Sequence, residues 1–221
     1  LVGDVAFDEA SRVAGAITCL DRDPAVIERV RALGLADDAA TDPAAIAECD
    51  LVVLAIPVGA FAGVMAELAS CLKPGTILTD TGSVKASVIA QVTPHLPAAC
   101  HFVPAHPVAG TEYSGPDAGF GTLFQNRWCI LTPGPDTDPG ALARVRALWE
   151  AVGANVEEMS PAHHDLVLAI TSHVPHLIAY NIVGTAADLE EVTQSEVIKF
   201  SAGGFRDFTR IAASDPTMWR D

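Results

Sequence analysis

Two hydrophobic periods alternate along the first 155 residues or so. Short apolar runs predict buried strands, and between them apolar residues recur every three or four positions, as on one face of a helix. The predicted strands are Ala16–Leu20, Leu51–Ile56, Thr76–Thr79, His101–Val103, Trp128–Leu131 and Asn155–Glu157. The predicted helices are Pro24–Leu33, Val58–Leu72, Val84–Val92 and Asp138–Val152. This alternation predicts an α/β domain with a mostly parallel sheet.

The pattern changes near Ser160, after which no strand is predicted. One long helix is expected from Ser160 to Ala187, with a kink or an irregular turn at Pro175. Helical periodicity continues through Lys199 and resumes at Phe205. We therefore predict two domains, residues 1–157 and 158–221, of which the second is all-helical.

Both ends of the sequence suggest truncated domains. Leu1-Val2-Gly3 leads directly into a helical pattern, although a doubly wound domain normally opens with a strand. Trp219-Arg220-Asp221 stops inside a helical segment. We expect the first domain to lack its opening strand and the second to lack its C-terminal end.

The formal net charge is −15 and the pI is near 4.6. Such an acidic surface repels phosphate backbones, so we expect no nucleic-acid partner. An anionic substrate would need a few local cations to bind. No apolar run of about 18 residues and no signal segment is evident, so we expect a cytoplasmic protein without a membrane partner.

The five cysteines are scattered along the chain and show no C-x-x-C spacing. The sequence therefore indicates neither a disulfide framework nor a zinc site. Reduced thiols fit the expected cytoplasmic location.

Gly3 and Asp21 resemble parts of a dinucleotide-binding fingerprint. The last glycine of G-x-G-x-x-G allows close helix–strand packing, and an acidic residue about 20 positions later binds the adenosine ribose. Asp21 could instead cap the next turn. A carboxylate at this position favours NAD over NADP, although Arg22 could hold a 2′-phosphate.

Two further strand ends are expected at the cofactor cleft, since ligands of open α/β sheets bind beyond the carboxyl ends of strands. Ile56, Pro57 and Val58 end one apolar strand, although a plain core strand and loop would explain them too. Ser83 follows the next strand, where a helix N-cap belongs.

His106 follows the strand His101–Val103 and is held by the next residue, Pro107. An imidazole near neutral pH suits proton transfer, although a single histidine is more often structural. Its position after a strand, like that of Asp21 and Ser83, favours a catalytic role.

The helical domain contains Ser172, His173 and His176, and the two histidines are spaced to share a helix face. A metal pair would need further ligands, and His163, His164 and Asp165 stand about three turns earlier. We expect substrate contact or helix capping here and no metal.

Arg206 and Arg210 are four residues apart, behind Gly203 and Gly204. Paired cations on an acidic chain suggest recognition of a carboxylate, which suits the bidentate arginine side chain. The alternative is a solvated helix face on which both pair with Asp207 or Asp215.

Together these segments resemble the prephenate/arogenate dehydrogenase family. The matching segments are LVG at Leu1–Gly3, DRDP at Asp21–Pro24, LAIPV at Leu54–Val58, DTGSVK at Asp80–Lys85, HPVAGTEYSG at His106–Gly115, SHVPH at Ser172–His176 and GGFRDFTRIAASDPTMWRD at Gly203–Asp221. The resemblance covers nearly the whole chain. It implies a Rossmann domain, a helical domain that builds a homodimer, and NAD as cofactor.

The resemblance also implies a reaction, the oxidative decarboxylation of a cyclohexadienol in tyrosine biosynthesis. Hydride leaves C4 of the ring for the nicotinamide, the C4 hydroxyl loses its proton and the ring carboxylate leaves as CO₂. The roles implied are His106 as proton acceptor, Ser83 as its hydrogen-bonding neighbour, His176 as a substrate contact, Ser172 and His173 as pocket residues, Arg210 as the carboxylate ligand, and Glu112, Arg206, Asp207 and Trp219 at the entrance.

Three alternatives stay open on the sequence. The substrate could be arogenate instead of prephenate, and Glu112 could attract the ammonium group of arogenate. Another Rossmann dehydrogenase, acting on β-hydroxy acids, would rely on a lysine in the helical domain, where Lys199 has no matching context. A catalytically silent ligand-binding domain is the third.

Overall fold

The computed structural model describes residues 14–110, 114–193 and 199–213. The chain divides into two compact units, Leu1–His164 and Asp165–Asp221. Mostly parallel strands alternate with helices in the first unit, and the described part of the second is helical. The α/β fold with a helical C-terminal region is therefore confirmed.

The strands of the first unit are short. They are β1 (Thr18–Leu20), β2 (Asp38–Ala40), β3 (Leu51–Leu54), β4 (Ile77–Asp80), β5 (His101–Val103), β6 (Ala105–Pro107), β7 (Trp128–Leu131) and β8 (Asn155–Glu158). The helices between them are α1 (Pro24–Leu33), α2 (Phe61–Leu68), α3 (Lys85–Val92) and α4 (Pro139–Ala151). Turns of 3-10 helix flank α2, at Val58–Ala60 and Ala69–Cys71.

The strands form three small sheets. Strands β1 and β2 pair in parallel, and β3, β4 and β5 form a parallel sheet with β4 in the centre. In the third sheet β7 pairs with β8 in parallel and with β6 in antiparallel orientation. All four positions of β4 are buried, as expected for a central strand covered on both faces.

Strands β2 and β6 were not predicted from the sequence. Pro104 and Pro107 flank the centre of β6, and proline usually argues against a strand. The strand tolerates both because its bonds to β7 involve other groups, with the Thr132 N–H donating to the Pro104 carbonyl and the Val108 N–H to the Trp128 carbonyl. His106 therefore lies within a separate strand, β6, and not at the end of the strand His101–Val103 as expected from the sequence.

Apolar helix faces cover the sheets. One core is formed by helices α2 and α3 over the β3–β4–β5 sheet, with Phe61, Met65, Leu78, Val88 and Val92 buried. A second core places α4 against the strands, with Ala141, Val145 and Trp149 buried beside Val103 and Leu131. Each large side chain that is fully buried contributes about 1.5–3 kcal/mol relative to an exposed one.

The helix starts follow the rules that predicted them. Asp23 caps α1 through its carboxylate, which accepts a hydrogen bond from the Ala25 N–H at 2.8 Å. Asp138 caps α4 in the same way. Helix α1 ends at Gly34, whose φ of 65° is the left-handed conformation that glycine adopts without strain.

The C-terminal helices begin at Pro161. They are α5 (Pro161–Leu168), a π-helical turn at Ala169–His173, α6 (Val174–Thr193) and α7 (Gly203–Thr209). The irregular turn expected around Pro175 is confirmed, because the π-helical turn ends at the residue before Val174-Pro175. Proline has no N–H for the helix ladder and its ring displaces a preceding carbonyl, which loosens the turn before it.

The helical stretch Pro161–Leu189 is long and apolar enough to cross a membrane, judged by length and composition alone. No such segment was expected from the sequence. The core helix of a soluble protein passes the same test, but little of this stretch is buried in the structure. Its exposed apolar side chains are considered below.

A buried ion pair between Asp80 and Lys85 connects β4 to β6. Both side chains are fully buried. The Asp80 carboxylate accepts hydrogen bonds from the Ala105 N–H at 3.0 Å and the Gly82 N–H at 2.8 Å. The Lys85 ammonium donates to the Ala105 carbonyl. The pair thus satisfies both backbone polar groups of the residue before His106.

Geometry explains why Ala105 needs these partners. In an antiparallel pair alternate residues bond to the neighbouring strand, so Pro104 and Val108 face β7 while the polar groups of Ala105 point away from it. If the N–H and the carbonyl of Ala105 were buried without partners, each would lower the stability of the fold by about 1–3 kcal/mol. Burial raises the pKa of the Asp80 carboxyl, and the Lys85 ammonium and the two N–H groups act against that rise.

We predict that Lys85→Met lowers the free energy of unfolding by about 3–5 kcal/mol, because it leaves a buried carboxylate without its cation. Lys73→Met is the matched control, since Lys73 pairs at 2.9 Å with the exposed Asp50 and should contribute only about 0–1 kcal/mol. Urea denaturation of both variants measures the difference. Equal, small losses would show that the Asp80–Lys85 pair does not hold β6 in place.

Candidate active site

His106 and His164 form a buried pair of imidazoles. The Nδ1 atom of His106 lies 2.8 Å from the Nε2 atom of His164, and the two rings meet edge to face with centroids 5.0 Å apart. His106 is 8% exposed, and His164, on α5, is fully buried. A hydrogen bond between two imidazole nitrogens uses one proton, so the tautomer of one ring determines whether the other donates or accepts.

His164 was not predicted as a site residue. From the sequence, His164 was considered only as a distant metal ligand. Helical periodicity could have indicated its burial, because His164 and Leu168 are four residues apart and both are buried, whereas His163 is exposed. The pattern gives no information about its partner.

Cys129 lies across from Pro107 on β7 and is not a nucleophile. Burial raises the pKa of its thiol to about 12, with a smaller opposing effect from Lys85. The side chain therefore stays protonated near neutral pH, which leaves the imidazole as the reactive group of β6.

Ser83 lies half-buried between β4 and α3. The expected helix-capping role is wrong, because α3 begins at Lys85 and no side chain caps it. The turn is instead stabilised by Asp80, which accepts from the Gly82 N–H. Gly82 is required there, since a Cβ atom would lie 2.8 Å from Cγ2 of Val88.

Asp21 lies half-buried directly after β1 and suits a ribose ligand. Its Oδ1 atom accepts from the Asp23 N–H at 2.8 Å, so the turn-capping alternative is realised for one oxygen. The cap of α1 itself is Asp23. Among the described residues nothing donates to the second oxygen of Asp21, which fits a carboxylate that binds an adenosine ribose. The neighbouring Arg22 is exposed.

The segment after β3 carries the next three predicted cofactor residues. Ile56 and Val58 are half-buried and pack against the core, and Pro57 is exposed where the chain turns outward. These positions suit an apolar surface against which a cofactor could pack. Gly3 lies outside the described residues.

In the second unit, the π-helical turn presents Ser172 and His173. The Nδ1–H of His176 donates to the Ser172 carbonyl at 2.8 Å, which places the lone pair of a neutral His176 on Nε2. Burial lowers the pKa of His173, and Asp165 acts against that change. His173 is therefore neutral at pH 7 and suits an uncharged pocket contact.

Arg206 and Asp207 are exposed on α7, and Arg210 is exposed in the 3-10 turn that follows. Arg210 keeps right-handed helical backbone angles, so the four-residue spacing of the two arginines holds. Glu112 and Trp219 lie outside the described residues.

The α/β unit carries an acidic side chain after β1 and a histidine pair next to a buried ion pair, and a helical unit follows it. These features define a nucleotide-dependent dehydrogenase. Comparisons with known proteins narrow this class. Residues 9–158 match the family described as prephenate dehydrogenase, nucleotide-binding domain, and residues 160–221 match prephenate dehydrogenase, dimerization domain. The chain belongs to the prephenate dehydrogenase family and is an NAD-dependent oxidoreductase.

Individual relatives agree with this assignment. The chain is 46% identical over 206 residues to cyclohexadienyl dehydrogenase of Zymomonas mobilis, covering 93% of this chain and 70% of that protein. It matches the structure of A. aeolicus prephenate dehydrogenase in complex with hydroxyphenyl propionate and NAD⁺ with a TM-score of 0.87 at 38% identity, covering 96% and 74% of the two chains. Synechocystis arogenate dehydrogenase matches with a TM-score of 0.73 at 27% identity, covering 92% and 72%.

Proposed function

We propose that this chain catalyses the NAD-dependent oxidative decarboxylation of prephenate to 4-hydroxyphenylpyruvate, a step of tyrosine biosynthesis. The observation that carries the proposal is the buried His106–His164 pair, which engages the His106 ring through Nδ1 and leaves Nε2 for the substrate. Family membership and the named relatives supply the substrate class.

His106 is the proposed proton acceptor. When it is bound, NAD acts as the hydride acceptor. As hydride leaves C4 of the ring, the C4 hydroxyl gives its proton to Nε2 of His106 and the oxygen becomes a carbonyl. The electrons of the bond to the ring carboxylate then enter the ring as CO₂ leaves, and the carbonyl oxygen becomes a phenolate. The proton held on Nε2 of His106 returns to this oxygen and gives the phenol of the product. Ser83 donates a hydrogen bond to the same oxygen.

We assign the substrate contacts to the second unit. Arg210 binds a substrate carboxylate through its planar guanidinium group, with Arg206 and Asp207 nearby on α7. Ser172, His173 and His176 shape the pocket. A net charge of −15 makes such local cations necessary for a dianionic substrate. We propose entrance roles for Glu112 and Trp219.

The cofactor contacts belong to the first unit. Asp21 accepts hydrogen bonds from the adenosine ribose, and its charge disfavours a 2′-phosphate despite the neighbouring Arg22. Ile56, Pro57 and Val58 line the nicotinamide side, and we assign Gly3 to cofactor binding. We place the cofactor domain at residues 1–157, the substrate domain at 158–221 and the enzyme in the cytoplasm.

Arogenate is the second candidate substrate. One relative carries the broader name cyclohexadienyl dehydrogenase, and a solved neighbour is an arogenate dehydrogenase. Prephenate and arogenate differ by a keto group and an ammonium group on the side chain. The two substrates can therefore be separated only by direct assay.

The first experiment is NADH formation at 340 nm by the full-length protein, with NAD and with prephenate or arogenate in separate reactions. We expect turnover of prephenate. Turnover of arogenate alone would correct the substrate and leave the reaction type intact. No turnover of either would favour the catalytically silent domain.

We predict that His106→Asn lowers kcat by about 10²–10⁴-fold, because the variant has no base to accept the hydroxyl proton. Substrate binding should change little, since the amide keeps hydrogen-bonding capacity and Arg210 is intact. Steady-state kinetics and equilibrium binding measure the two effects, with His95→Asn as the control histidine. Near-wild-type turnover in His106→Asn would remove His106 from the mechanism.

We also propose that the protein is a homodimer through α6 and the residues before it. Large apolar side chains recur there at helical spacing and are exposed, among them Leu166 (62%), Ile170 (64%) and Leu177 (62%). A contiguous apolar surface of this kind marks an interaction site. A second copy is the proposed occupant because residues 160–221 match a dimerization domain.

We predict that the double variant Ile170→Glu/Leu177→Glu is monomeric at micromolar concentration, because each carboxylate would be buried without a partner in the interface. Ala90→Glu, on the exposed face of α3, is the control and should remain dimeric. Light scattering after size-exclusion chromatography gives the mass. A dimeric double variant would place the interface elsewhere.

A further inference from the structure

We propose that His164 is a positioning residue that fixes the tautomer of His106, so that Nε2 of His106 carries the lone pair that accepts the substrate proton. This inference rests on the proposed role of His106. It adds a residue that acts only through His106 and touches neither substrate nor cofactor.

The contact is built into the fold on both sides. His106 is held in β6 by pairing with Ile130 of β7, and the preceding residue is clamped by Asp80 and Lys85. His164 is held in the first turn of α5, where its N–H donates to the Ser160 carbonyl at 2.9 Å. Its side chain is fully buried. Neither imidazole is therefore placed by a mobile surface segment.

The proton count at the contact permits two arrangements. A neutral imidazole has one N–H, and the 2.8 Å contact between Nδ1 of His106 and Nε2 of His164 holds one proton. If His164 donates, the remaining proton of His106 sits on Nε2 and the ring cannot act as a base there. If His106 donates, its Nε2 carries the lone pair. Only the second arrangement supports proton abstraction.

The second arrangement also survives the reaction. After Nε2 of His106 accepts a proton, the imidazolium still donates from Nδ1 to Nε2 of His164. The hydrogen bond is then charge-assisted and shorter than a neutral one. His164 must stay neutral, with its own proton on Nδ1, throughout. A buried acceptor thus stabilises the charge that develops on His106.

Substitutions can separate this role from packing. A glutamine side chain can place its amide oxygen near the position of the imidazole Nε2, so His164→Gln keeps an acceptor. His164→Leu fills similar volume and removes the acceptor. His163→Leu is the matched control, since the adjacent His163 is exposed on the same helix.

The experiment uses the full-length protein without substrate and records two-bond ¹H–¹⁵N correlations of the histidine ring nitrogens. In the wild type we expect His106 protonated on Nδ1 and unprotonated on Nε2. In His164→Leu the Nε2–H form should appear, while His164→Gln and His163→Leu should keep the wild-type pattern. A wild-type His106 with its proton on Nε2 would overturn the inference without any variant.

Kinetics with prephenate give the second readout. We expect His164→Leu to lower kcat about 10–100-fold with KM nearly unchanged, and His164→Gln to recover most of the loss. His163→Leu should match the wild type. Equal losses of kcat in the Gln and Leu variants would indicate a packing role and overturn the inference. The NMR result stands apart from turnover, so a failure of the proposed reaction would be recognised separately.

Discussion

The fully buried ion pair between Asp80 and Lys85 is the interaction on which the rest of the site depends. It provides the polar groups of Ala105 with the partners that a neighbouring strand would otherwise supply. Because Ala105 precedes His106, the Asp80–Lys85 pair also fixes the position of the His106 imidazole. A buried ion pair seldom adds much stability over an apolar replacement, and its value here is geometric. The pair connects β4 of the β3–β4–β5 sheet to β6, which itself pairs with β7 in another sheet.

The histidines show how hydrogen bonding at one ring nitrogen determines the chemistry at the other. His106 meets His164 through Nδ1, and His176 donates from Nδ1 to the carbonyl of Ser172. At His176 the donating Nδ1–H leaves Nε2 as the nitrogen that can accept, and this is the same arrangement that we propose for His106. Burial adds a third case, since it lowers the pKa of His173 and keeps that ring neutral.

Charge and hydropathy are distributed unevenly over the molecule. The chain carries a net charge of −15, yet Arg206 and Arg210 come within one helical turn of each other at its C-terminal end. The helical stretch before them exposes large apolar side chains, including Ile170 and Leu177. A charged surface keeps such a protein apart from nonspecific partners, while the apolar stripe favours one specific partner. The homodimer that we propose would reconcile the two properties.

The sequence by itself determined the class of fold and most of the elements. Apolar periodicity and capping residues such as Asp23 and Asp138 are local signals, and they placed the helices and most strands correctly. The motifs around Ser83, His106 and Arg210 identified the family. Only the tertiary structure showed β6, where two prolines conceal a strand, and corrected the role of Ser83 at α3. It alone paired His106 with His164, because partners 58 residues apart in sequence are chosen by packing and leave no local pattern.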